Sequence, residues 1–88
     1  MQVAVEISYY PLTPEYERPI ITFIQDLKQT EGLRIATNQL STHIAGEYDL
    51  VMNSLQAAMK RCMADGPKGS FVLKVLNVEI EPGKTIEV

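Results

Sequence analysis

Residues 38–48 read NQLSTHIAGEY. The first four are turn formers: Asn and Ser side chains bond to nearby backbone, and Gln39-Leu40 sits at the tip. Thr42 to Gly46 then alternates about Ile44 as a short strand does, and Glu47-Tyr48 opens a helical pattern. Leu33 to Asn38, just before, is a second short strand. The middle of the chain is therefore two strands joined by a tight turn. A helix on either side of that unit, and a strand beyond each helix, make the order β-α-β-β-α-β.

Both flanks supply those elements. MQVAVEISYYPL at the start alternates strictly, with Val3, Val5, Ile7 and Tyr9 on one face and Ala4, Glu6, Ser8 and Tyr10 on the other. Pro11 ends the ladder because it has no N–H to donate. A helix is expected to begin near Glu17, which keeps Pro19 within its first turn, and to close at Glu31-Gly32 with Gly32 as cap. Tyr16, Ile20, Phe23, Ile24 and Leu27 form its apolar side. Glu47 to Ala64 is the second helix, with Val51, Leu55, Ala58, Met59 and Cys62 as its stripe, stopped by Asp65-Gly66-Pro67. Ser70 to Glu81 is a fourth strand. Pro82-Gly83 reads as a type II turn, and Thr85 to Val88 as a short fifth strand.

The right-handed crossover rule turns this order into one antiparallel sheet with both helices on one face. The expected fold is thus an α+β ferredoxin-like plait over residues 1–88, with strands 1 and 3 central and a short extra C-terminal strand. The second face of the sheet is expected to be open. It should carry Ala4, Glu6, Ser8 and Tyr10, with Ser41, His43 and Ala45 from the third strand and Ala36 and Asn38 beside them. The fourth strand adds apolar side chains to that face, which points to a partner subunit.

A chain of 88 residues buries only roughly 60–65% of its unfolded surface, which also favours a homo-oligomer. At 45% hydrophobic and 22% charged residues, the composition is that of an ordinary globular protein. The net charge of -3 argues against a nucleic-acid partner, and the central strands lack the aromatic pair of an RNA-binding plait. Cys62 is the single cysteine, so neither an internal disulfide nor a cysteine metal cluster is expected. With no signal-peptide pattern and no membrane-length apolar run, the expectation is a cytoplasmic protein with no membrane partner.

Two stretches carry a resemblance. VEISYYPL at 5–12, followed by ITFIQDL and then TNQLSTHIAGEYDLVM at 37–52, resembles the YkoF-like thiamine/hydroxymethylpyrimidine-binding proteins. VLKVLNVEIEPGKTIEV resembles the wider thiamine-binding, ferredoxin-like superfamily around them. The most specific pieces are E-I-S-x-Y-P-L and N-x-x-S-T-x-x-x-G-E-Y-D, and neither is a catalytic signature. The resemblance implies binding without turnover, no cofactor, and plaits paired as a dimer or a dimer of dimers. The implied ligand is thiamine or its pyrimidine moiety.

The residues can be weighed against that ligand. An aminopyrimidine edge has a donor and acceptors, and Glu6, Ser8, Asn38, Ser41 and Thr42 offer the matching mixture. A thiazolium cation favours an aromatic face, for which Tyr10 and Tyr48 are the candidates. Each has a plainer reading: Asn38 and Ser41 as turn residues, Thr42 as an ordinary strand position, Tyr48 as the start of a helix. His43 reads as a bystander, since no second histidine or acid lies at metal spacing. Lys74 reads as solvated surface. The alternatives are a regulatory plait that binds another metabolite at a dimer interface, and a cofactor-independent enzyme using Glu6 and His43 as acid and base.

Overall fold

Alternation in the first strand sets the architecture. In the computed structural model, which describes residues 1–88, β1 (Gln2–Pro11) buries Val3, Val5, Ile7 and Tyr9 against the helices. It is followed by α1 (Glu17–Leu27), β2 (Arg34–Thr37), β3 (Thr42–Glu47), α2 (Tyr48–Asp65) and β4 (Gly69–Leu76). The sheet is antiparallel in the order β2-β3-β1-β4, so the first and third strands are central as the crossover rule requires. This is the ferredoxin-like plait.

The main hydrophobic cluster lies between sheet and helices. Ile44 on β3 and Val51 and Leu55 on α2 are fully buried beside Val5 and Ile7. Tyr9, Phe23 and Phe71 close one end of it, with Tyr9 and Phe71 stacked at 4.3 Å between ring centroids. Arg61 on α2 forks onto Asp26 on α1, with Nε and Nη2 donating to the two carboxylate oxygens at 2.8 and 2.9 Å. Glu47 caps α2 by accepting from the Leu50 N–H. No helix is long and apolar enough to cross a membrane.

Three expected boundaries move. The first helix ends at Leu27 instead of near Glu31, because Lys28-Gln29-Thr30-Glu31 offers no side chain to the core beyond Leu27. Gly32 does take a positive φ of 89°, but in the turn leading into β2, where a Cβ would lie 2.9 Å from the Leu50 side chain. The fourth strand stops at Leu76, not Glu81, and Thr85 to Val88 forms no strand.

The last segment takes another course. Asn77 and Val78 bend the chain out of the sheet. The Pro82-Gly83 turn does form, closed by the Lys84 N–H on the Glu81 carbonyl, with Gly83 at φ 81°. A Cβ on Gly83 would lie 2.9 Å from the Cβ of Ala36, on β2. Leu76 is on the opposite edge of the sheet. Residues 77–83 therefore strap across the face that was expected to be open. The strap starts at Leu76, opposite Ala4, and ends at Ala36, opposite His43, and Ala4 and Ala45 on this face are each only 1% exposed. In the row of Ala36 and His43, the Glu6 and Lys74 side chains remain partly exposed.

Candidate functional site

The exposed cluster beside the end of the strap is built by register. Glu6 on β1 stands opposite His43 on β3 and Lys74 on β4. Side chains directly across a ladder meet on one face, so these three converge. Ser41, two residues before His43, joins them. Its Oγ donates to Glu6 Oε2 at 2.9 Å and lies 3.2 Å from His43 Nε2. His43 Nε2 is 3.5 Å from Glu6 Oε2, and Lys74 Nζ is 3.3 Å from Glu6 Oε1. The carboxyl of Glu6 is held below its ordinary value of 4.5, first by the Ser41 hydroxyl and then by the Lys74 ammonium.

Beside this cluster, between the β2–β3 turn and the flank of α1, is a recess of about 100 Å³. Ile7, Ile20, Phe23 and Ile24 give it apolar walls, and Ser8, Asn38, Ser41 and Thr42 give it polar ones. Asn38 Oδ1 accepts from the backbone N–H groups of Leu40 and Ser41 at 2.8 and 3.0 Å, which fixes the turn and leaves the amide NH₂ as a donor. The Thr37 and Thr42 hydroxyls share one hydrogen bond at 3.0 Å, leaving one proton and several lone pairs between them. The Ser8 hydroxyl donates to the Leu40 carbonyl at 3.3 Å and keeps its lone pairs. Donors and acceptors are thus both present at one small, largely apolar hollow.

Of the seven residues singled out in the sequence, Ser8, Asn38, Ser41 and Thr42 share the recess, and Glu6 reaches it through Ser41. Tyr10 lies further along β1, opposite Ser70 and exposed. Tyr48 is at the other end of the sheet, its N–H on the Met1 carbonyl. Six residues of strand rise separate it from Thr42, roughly 20 Å. Two residues set aside in the sequence, His43 and Lys74, are in the cluster. Their signal was the register itself, since each stands directly opposite Glu6.

Two larger hollows lie elsewhere, one along the start of α1 beside Tyr16 and Ile21, the other between α1 and α2 beside Arg61 and Cys62. Neither gathers any of the seven. No group of three or more His, Cys, Asp or Glu side chains is placed to hold a metal ion.

No protein-family model and no curated protein matches the chain. Solved structures do. A hypothetical protein of Methanocaldococcus jannascii superposes with a TM-score of 0.76 at 21% identity, over 89% of this chain and 81% of that one. A Thermotoga maritima protein, provisionally described as one of thiamine biosynthesis or salvage, gives 0.76 at 16% identity, over 85% and 82%. A domain of unknown function from Bacillus cereus gives 0.70 at 20% identity, over 100% and 84%. At these identities the likeness is one of fold.

Proposed function

We propose that the protein is a non-catalytic binder of thiamine or its hydroxymethylpyrimidine moiety, acting as a dimer or tetramer in salvage, transport or buffering of the vitamin. The observation that carries this reading is the recess at the β2–β3 turn, where spare donors and acceptors meet on an apolar wall. An aminopyrimidine edge presents the complementary set: an amino donor beside ring-nitrogen acceptors. The recess volume of about 100 Å³ is far below the roughly 300–1,000 Å³ of a site that encloses a whole drug-sized ligand. The fit is therefore to the pyrimidine ring, with the rest of thiamine outside. The ionised Glu6, one hydrogen bond away through Ser41, gives the cationic thiazolium a favourable neighbour. The fold shared with the Thermotoga maritima protein is in keeping with this ligand class.

The geometry around His43 supports binding over catalysis. A serine–histidine–carboxylate relay has the carboxylate on one ring nitrogen and the hydroxyl on the other. Here Glu6 and Ser41 both approach Nε2.

Calorimetric titration with hydroxymethylpyrimidine and with thiamine tests the reading. Both are expected to bind. Thr42→Val keeps the shape and removes a hydroxyl, so it should weaken binding about tenfold, the worth of one hydrogen bond of about 1.4 kcal/mol. Absence of heat with either ligand would sink the proposal.

A further inference from the structure

The C-terminal segment is a strand without a partner. Residues 78–88, VEIEPGKTIEV, combine β-branched residues with alternation on both sides of the Pro82-Gly83 turn. Yet the only backbone hydrogen bond outside helices and strands that involves residues 77–88 is the one closing that turn. Val78 and Ile80 are partly exposed on the strap, and Ile86 beyond it is 84% exposed. The segment's other backbone groups have no hydrogen-bond partner in the fold, and beyond the strap Ile86 and Val88 face outward.

The same chain holds an edge that fits. β4 is the sheet's outer strand, paired to β1 on one side only, and it runs for eight residues with neither proline nor bulge. Long open edges of this kind are templates for strand addition. Residues 84–88 hold Lys84 and Glu87 in balance, so they bring no net charge to an edge whose own charges are Lys68 and Lys74. The segment cannot turn back on its own β4, because the bend at Asn77-Val78 carries it across the sheet instead.

We infer that residues 84–88 of one copy add as a strand to the β4 edge of a second copy. The exchange is reciprocal and gives a two-fold dimer. This rests on the oligomeric part of the proposed function and not on its ligand.

Sedimentation velocity over a range of concentrations, joined with amide exchange by NMR, tests the inference. The full chain should be a dimer in which the β4 N–H groups that point away from β1 exchange slowly. Ile86→Glu changes a side chain exposed in the single chain, so the fold is kept, and it should raise the dimer dissociation constant at least tenfold. A chain ending at Asn77 should be monomeric, with those β4 amides unprotected. A full chain that stays monomeric at high concentration overturns the inference, as does a dimer that survives Ile86→Glu with the outer β4 amides exchanging freely. The ligand titration reports separately, so its failure beside a strap-dependent dimer leaves this inference standing.

Discussion

Glu6 sits on a central strand, where a carboxylate must find a donor, a cation or water. It finds all three, since Ser41 and Lys74 hold it and its side chain stays 43% exposed. Because its carboxyl is held below 4.5 when folded, the folded chain binds fewer protons than the unfolded one in mildly acid solution. The resulting stability is present above pH 4.5 and is lost as pH falls through the folded value. Glu6→Gln should flatten that part of the acid limb in denaturant unfolding followed against pH. Ser41→Ala should raise the Glu6 pKa towards 4.5 in an NMR titration, since the Ser41 hydroxyl is the largest cause of the shift. Tyr9 gives the opposite limb. Burial, then the neighbouring Cys62 thiol, pushes its phenol up to about 12 from 10. A neutral acid protected in this way contributes stability below pH 10 that is lost as pH rises from 10 to 12. Tyr9→Phe should remove the alkaline loss, as read from unfolding free energies at pH 9 and pH 11.

At the scale of elements, legibility in the sequence followed burial. β1 was readable because Val3, Val5, Ile7 and Tyr9 must all face one core, and a slip of one residue would expose every one of them. The stripe Val51, Leu55 and Ala58 fixed α2 in the same way. Where no side chain reaches the core, the pattern lost its hold. The last turn expected of α1 has none, and it does not form. The fifth strand failed for a different reason: strand propensity describes a residue's fit to a pleated surface, not the presence of an edge to join. Of the candidate site, the turn chemistry at Asn38 and the hydroxyls of Ser41 and Thr42 were legible locally. His43 and Lys74 required pairing partners that only register supplies. The weight of the buried stripe is testable. Leu55 is fully buried on α2, so Leu55→Ala should cost about 2–5 kcal/mol in denaturant unfolding, a large share of the roughly 5–15 kcal/mol that holds a domain together.

For the whole molecule, the two faces of the sheet have different tasks. The ten-residue buried cluster lies entirely on the helix side, and no residue after Ala58 belongs to it. The strap covers the short side chains of Ala4, Ala45 and Ala36 on the other face and half-buries its own Val78 and Ile80 there, a smaller contact than the helix-side cluster. Stability and assembly are therefore separable in this chain. Residues 78–88 should be dispensable for folding even where they are required for pairing of copies. At a concentration low enough to keep single chains, a protein ending at Asn77 should unfold cooperatively, within about 3 kcal/mol of the parent. That bound follows from half-burying Val78 and Ile80, at about 1.5–3 kcal/mol for each such side chain fully buried. Chemical denaturation followed by far-UV circular dichroism reads both the midpoint and the slope. A loss well beyond that bound would mean that the strap is part of the folding core, and the division between a helix-side core and a sheet-side contact surface would fail.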